Sequence, residues 1–165
     1  MAVEDKYALV AANTEGLKVN PAFINGNEQH GVVGIYEKAT GDSDLSIIRF
    51  FRVPSWVIPK ELSLNNDAIS GFTDANFGLY KPGAGGVAVD DNVFADAVSL
   101  ASARGQGSDI TLLSAVDIAD SQKRLWELAA QTADDNDAEF DIAMTMITAG
   151  STAGTIVLKG NFLQG

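Results

Sequence analysis

The chain has 165 residues, 46% of them apolar and 20% charged, with 11 Lys plus Arg against 22 Asp plus Glu, a formal charge of −11 and no cysteine. That length and composition describe one globular domain with its own core, not a disordered chain. The acidity argues against nucleic acid and anionic membrane as partners, and the absence of cysteine excludes disulfides, thiolate metal sites and cysteine nucleophiles.

The first residues, MAVEDKYALVAANTEG, carry early acids and no long apolar core, so they do not read as a signal peptide. No stretch approaches the roughly 18 consecutive apolar residues of a membrane span. Residues 1–44 are rich in Gly and Asn, with VNPAFINGNEQHG in the middle. A strand is expected at Val32 to Tyr36, and the rest reads as loop or extended arm. The chain therefore divides into an N-terminal arm or covering segment, 1–44, and a β-sandwich domain, 45–165. A segment of this kind either reaches a neighbour or covers a sheet of its own domain; the two look alike in sequence.

Beyond it, DLSIIRFFRV (44–53) reads as a strand with apolar residues on both faces, hence covered on two sides. SWVIPKELSL (55–64) places Trp56, Ile58, Leu62 and Leu64 on one face. Pro59 cannot donate to a ladder, so this is an edge strand, a bulged strand or two short ones. NFGLYK (76–81) is a short strand with Phe77 and Leu79 on one side. DDNVFADAVSLASAR (90–104) has helical spacing, with Asp90 or Asp91 as cap and Val93, Ala97, Leu100 and Ala101 on one stripe. DSQKRLWELAAQT (120–132) has Asp120 or Ser121 as cap and a stripe of Leu125, Leu128 and Ala129. FDIAMTMIT (140–148) and TIVLKGNFL (155–163) alternate with period two across the linker AGSTAG (149–154). They are predicted to form an antiparallel hairpin, one face in the core and one wet. No repeat or heptad is present. Short strands between Gly, Pro and Asn turns predict a mainly β, mostly antiparallel sandwich with one or two short helices.

KPGAGGVAVDD (81–91) packs three glycines into Gly83-Ala84-Gly85-Gly86. A phosphate loop of the G-x-x-x-x-G-K-[ST] type is not matched. Read as a dinucleotide fingerprint, the third glycine is replaced by Ala88. The next residues, VAV, read as strand, so no helix N-terminus stands ready for an anion, and the stretch is read as a hairpin turn. DDNDAEFD (134–141) holds five carboxylates but has no Gly at the sixth position of a calcium loop started at Asp134 or Asp135. It reads as a solvated acidic turn, with a loose cation site as the alternative. His30, the lone histidine, is expected in an exposed loop, and no G-x-S-x-G elbow accompanies it. Trp56 and Trp126 lie on apolar stripes and are read as core before sugar platforms. Arg49 and Arg52, set within an apolar strand, either pair with acids in a partly buried position or anchor a partner surface.

The order of segments KVNPAFINGN, TGDSDLSIIRFFRVPS, NNDAISGFTDANFGLYKPGAGGVAVDDNVFADAVSLASAR, VDIADSQKRLWELA and FDIAMTMITAGSTAGTIVLKGNFL resembles small structural proteins of tailed bacteriophages, the capsid cement or decoration proteins. The likeness runs from about Lys18 to Leu163. It implies a β-sandwich or jelly-roll-like domain that forms a homo-oligomer, dimer or trimer, on the outside of the virion capsid. There it would bridge neighbouring capsomers by contacts with the major capsid protein, after synthesis in the host cytoplasm. It carries over no catalytic residue, metal or cofactor, so a non-enzymatic protein is expected. The residues expected to contact the partner are Phe23, Ile24, Arg49, Arg52 and Trp56. The competing readings are a tail, neck or fibre component of the same particle, and a carbohydrate-binding sandwich.

Overall fold

The computed structural model describes residues 5–7, 30–114, 116–132 and 138–164. Its strands are β1 (Asp5–Tyr7), β2 (His30–Lys38), β3 (Ile47–Pro54), β4 (Val57–Asn66), β5 (Asp74–Tyr80), β6 (Ala88–Ala95), β7 (Arg104–Asp109), β8 (Glu139–Thr148) and β9 (Gly154–Gln164). One sheet has the order β1-β3-β8-β5-β6 and the other β2-β9-β4-β7. Among the described residues, the short β1 runs parallel to its neighbour, β3, and the other strand pairs are antiparallel.

The connectivity follows a simple rule. β5 pairs with β6, β4 with β7, β3 with β8 and β2 with β9. Those are the pairs of one long antiparallel hairpin whose tip is the turn between β5 and β6. Rolled up, such a hairpin sends alternate pairs into two facing sheets, which is a jelly roll. The expected sandwich is therefore present, in its jelly-roll form, and the glycine stretch lies at the hairpin's tip.

The core lies between the sheets and takes residues from both. Phe51 of β3 meets Phe162 of β9 edge to face, with ring centroids 6.0 Å apart at 78°, a geometry worth roughly 0.5–1.5 kcal/mol beyond burial. Ile48, Phe77, Ile142 and Met144 from one sheet and Leu62, Leu64, Ile156 and Leu158 from the other are fully buried. β3 is covered on both faces along most of its length, as its two-sided apolar pattern demands.

Five expectations are corrected. The segments 140–148 and 155–163 are strands, but they do not form a hairpin. β8 pairs with β3 and β5, whereas β9 pairs with β2 and β4 in the opposite sheet. Alternation reveals that a strand has two unlike faces; it does not name its partner. Nor is β8 wet on one side, because Asp141, Ala143 and Thr145 are all buried.

The helix expected over 90–104 is absent. Its first half is β6, and Ala97 has φ of 52°, a left-handed conformation that ends any helical reading. From there the backbone runs beside 72–75, with Val98 donating to Ala75 O at 2.9 Å and Leu100 to Phe72 O at 2.9 Å. Irregular register between β5 and β6 disturbs the period of two and leaves apolar spacings that imitate a helix.

The helix expected over 120–132 shrinks to the single turn α1 (Leu125–Leu128), with a 3-10 turn at Ile118–Asp120 before it. Ala130, at φ of 54°, closes it. Finally, His30 is half-buried at the start of β2 and not in an exposed loop.

Pro59 sits in one continuous strand with a register shift between Pro59 and Glu61. The bulge reverses the strand's parity. Val57 and Pro59 face inward before it, and Leu62, Leu64 and Asn66 after it. Trp56 and Ile58 consequently lie on the other face from Leu62 and Leu64, contrary to the single-stripe reading.

Candidate functional site

Two arginines in an apolar strand require an acid, and β3 shows how one acid serves both. Arg49 and Arg52 are three residues apart, a spacing that puts them on opposite faces of a regular strand. The register of β3 against β8 shifts between Arg49 and Phe51, so that Arg49 lies opposite Ala143 and Arg52 opposite Asp141. Ala143 and Asp141 are two apart and share a face. The bulge at Phe50 thus turns both guanidinium groups to the same side, where they converge on Asp141.

The contacts are close. Arg49 Nη1 lies 3.0 Å from Asp141 Oδ2, while Arg52 reaches Oδ1 through Nε at 2.7 Å and Oδ2 through Nη2 at 3.2 Å. The amide of Gly83 donates to Asp141 Oδ2 at 3.0 Å. Arg49 spends its other donors on the glycine turn, giving Nη1 to Lys81 O at 3.0 Å and Nη2 to Gly86 O at 2.7 Å. Its guanidinium also lies 5.5 Å from the centroid of the Tyr80 ring, and the Tyr80 hydroxyl is hydrogen-bonded to Thr145 Oγ1.

Both side chains of the Arg49–Asp141 pair are fully buried, and Arg52 is 14% exposed. The arrangement is a clamp that holds the hairpin tip against the sheet. In the turn itself, Gly83 and Gly85 take φ of 91° and 74°, and Gly86 donates to Gly83 O at 3.0 Å. The glycine stretch therefore turns the chain, as expected, and its amides and carbonyls answer side chains of the protein itself.

Near the other end of β3 a second network ties down the N-terminal strand. Lys6 of β1 forms an ion pair with Asp42, which also accepts from the Tyr36 hydroxyl and from the Ala39 amide at 3.0 Å. Burial would raise the Asp42 pKa, but the hydrogen bonds from Lys6, Tyr36 and Ala39 outweigh it and hold the group below the usual carboxylate value. Burial and the Asp42 carboxylate together push the Tyr36 phenol well above its ordinary value. Lys38, almost wholly buried, donates to the carbonyls of Ala39, Gly150 and Thr152 at 3.0, 3.3 and 3.2 Å. Burial lowers its pKa, against the opposing pull of Asp42.

Of the residues expected to contact a partner, Phe23 and Ile24 lie outside the described residues. Arg49 is inside the clamp, its side chain fully buried. Arg52 borders the same clamp, and Trp56 is half-buried against the rim of the core. The structure brings Arg49 and Arg52 together and leaves Trp56 apart, on the β3–β4 connection. Trp126 also packs against the core, as its apolar stripe indicated. The run 134–141 lies outside the described residues except for its last four positions, of which Asp141 is committed to the clamp. No group of three or more potential metal-ligating side chains occurs among the described residues.

Sequence reasoning did not single out Asp141 as the acid the arginines need. The available signal was a carboxylate near the start of an otherwise apolar, alternating strand. A shallow pocket of about 240 Å³ beside β4 and β7 is lined by Asn65, Asn66, Asp67, Arg104 and Thr155, smaller than the ~300–1,000 Å³ usual for organic ligands.

Two solved structures share this architecture over most of the chain, and both are chains of phage capsids. One, from the capsid of Ralstonia phage GP4, superposes with a TM-score of 0.56 at 13% identity, covering 82% of this chain and 85% of the matched one. The other, from the capsid asymmetric unit of cyanophage Pam1, gives 0.51 at 14% identity, covering 85% and 87%. Similar coverage on both sides means that the matched chains are about as long as this one. No protein-family model matches the sequence, and no curated relative does.

Proposed function

We propose that the chain is a structural, non-enzymatic component of a tailed-phage head, a cement or decoration protein that reinforces the shell from outside by bridging capsomers. The observation that carries this reading is the likeness of its jelly roll, over most of its length, to chains of similar size within two phage capsids. The resemblance of its segment order to phage cement proteins points the same way. The construction suits the role. Buried ionic groups are spent on fixing strands and a turn, which makes a rigid body whose surface is free for contacts. The acidity of −11 favours the outside of a DNA-filled shell over the inside.

In this reading the chain engages the major capsid protein and its own copies, as a dimer or trimer. Residues 1–44 contribute an arm beyond what β1 and β2 give to the sandwich, with Phe23 and Ile24 among the contacts. Arg52 and Trp56 contribute from the body. Each contact is modest, and repetition over a symmetric shell makes attachment firm.

The test is direct. Purified protein is mixed with expanded heads that lack it, the mixture is sedimented, and the heads are heated. Co-sedimentation at saturating, symmetric stoichiometry and a higher temperature of head disruption are expected. Protein that stays in the supernatant and leaves head stability unchanged refutes the reading.

A further inference from the structure

The strands β2 to β9 complete the rolled hairpin by themselves, and β1 stands outside it. It is added to the edge of β3, while the next strand along the chain, β2, lies in the opposite sheet. Its hold is small and well defined. Asp5 lies opposite Ile47, Lys6 opposite Ile48 and Tyr7 opposite Arg49, and Lys6 forms its ion pair with Asp42. All the groups that receive the strand belong to residues 36–49. The Asp42 side chain, 3% exposed, is also held by the Tyr36 hydroxyl and the Ala39 amide, so the body itself aims the acceptor at the β3 edge.

The same contacts form whichever chain supplies Asp5–Tyr7. Residues 8–29 join Tyr7 to His30, a length that spans at most roughly 70 Å, whereas a domain of this size is about 40 Å across. The link is long enough to carry β1 past its own body to the β3 edge of a neighbour. Exchange of an identical element between copies loses no contact, so concentration decides the competition. A link of this kind presents its own strand at an effective concentration in the millimolar range, and copies packed side by side meet at a similar level. An exchanged strand then adds a tie between copies that the closed form lacks. We propose that β1 is an exchanged strand in the oligomer: the β3 edge of one copy seats Asp5–Tyr7 of a second copy, whose Lys6 completes the Asp42 network. This rests on the proposed assembly of the chain with its own copies on a capsid.

The chain has no cysteine, so introduced thiols report the seating directly. Asp5 and Ile47 are register partners, and adjacent strands lie within the Cα range of a disulfide. Asp5→Cys and Ile47→Cys are made as separate variants of the full chain, mixed, and oxidised. A disulfide joining the two variants forms in register only when β1 of one copy sits on β3 of the other. On heads that lack the protein, the mixed dimer is expected at least ~10-fold above its level at ~1 μM in solution, and near ~1 mM it should rise toward the head level. Adding Lys6→Met to the Asp5→Cys chain removes the ion pair from the donated strand and should cut the yield about 10-fold. The unaltered chain gives a second reading that does not depend on how Ile47→Cys folds. Light and ¹⁵N-labelled copies are mixed and treated with a carbodiimide, which couples Lys6 to Asp42 without a spacer. Linked peptides with one light and one heavy half show exchange.

Heads that bind the protein yet give neither a mixed dimer above the dilute level nor mixed-isotope peptides overturn the exchange and leave the structural role intact. A mixed dimer that Lys6→Met does not reduce reflects random collision and overturns the seat. Mixed dimer at ~1 mM from a protein that ignores heads upholds the exchange and removes the capsid role. Neither head binding nor exchange at any concentration removes both.

Discussion

Replacing Asp141 by Asn tests the clamp at its centre. The change keeps size and shape and removes one charge. The Asp141 carboxylate accepts from Arg49, twice from Arg52 and from the Gly83 amide, four donors on about four lone-pair sites. An amide in the same place offers one oxygen and turns an NH₂ toward donors. The Arg49 guanidinium, with no exposed side-chain surface, loses the charge that balances it, and Glu139, 3.9 Å from Arg52 Nε, is near Arg52 only. Breaking a buried pair by removing one partner costs roughly 3–5 kcal/mol. For a domain of this size that corresponds to a fall in Tm of very roughly 6–20 °C. Denaturant titration followed by Trp fluorescence gives the free energy. Hydrogen exchange at the Gly83 amide reports whether the turn has come loose. A loss below ~1 kcal/mol, or unchanged protection at Gly83, would show that the cluster is incidental and that the turn stands by its own backbone geometry.

The remaining predictions use the same material. Gly78→Ala places a Cβ 2.1 Å from Asp90 O and 2.4 Å from the Asp91 carbonyl carbon, both backbone atoms that cannot step aside, so the variant is expected in the insoluble fraction. Gly105→Ala, whose Cβ meets nothing within 4 Å, should match the parent in yield and melting. Tyr36→Phe removes a buried hydroxyl that donates to a carboxylate and should cost about 1.5–3 kcal/mol at neutral pH in denaturant titration.

The pH dependence has a definite sign. Asp42 has a lowered folded pKa, so its contribution is complete above its ordinary value near 3.8 and is lost as pH falls through the lowered one. Tyr36, with a raised folded pKa, contributes fully below its ordinary value of 10.0, and that contribution declines as pH rises toward the raised value. Melting curves of Asp42→Asn in acid and Tyr36→Phe in alkali should each be flatter than the parent's.

Much of the sandwich was legible because burial on one face writes period two into β9, and burial on both faces writes an apolar run into β3. The jelly-roll pairing was not, because alternation says nothing about which edge a strand meets; β8 and β9 look like a hairpin and lie in different sheets. Bulges hid the rest. The one at Lys60 inverts the parity of β4, so a stripe of Trp56, Ile58, Leu62 and Leu64 is split between two faces. The one at Phe50 brings Arg49 and Arg52, apart on a regular strand, to one carboxylate. A bulge adds a residue without changing composition, and the segment reads the same with or without it.

The two bulges also explain why buried charges suit a body of this sort. A sheet whose faces are both covered gives a slipped strand few penalties, since apolar side chains exchange places with small loss. At Asp141 the penalty is specific. If β3 moved by one residue against β8, Arg52 would no longer lie opposite Asp141, and both guanidinium groups would leave the carboxylate that balances them. The hydrogen bonds from Arg49 to Lys81 O and Gly86 O would go as well, releasing the hairpin tip. The clamp thus discriminates between registers that packing alone leaves close in energy. Substituting Arg49→Met, Arg52→Leu and Asp141→Leu together separates this role from simple stabilisation. An apolar clamp should recover much of the stability lost in Asp141→Asn, but the amides of the 81–87 turn should still exchange faster than in the parent. Recovery of both stability and turn protection would show that the charges select nothing.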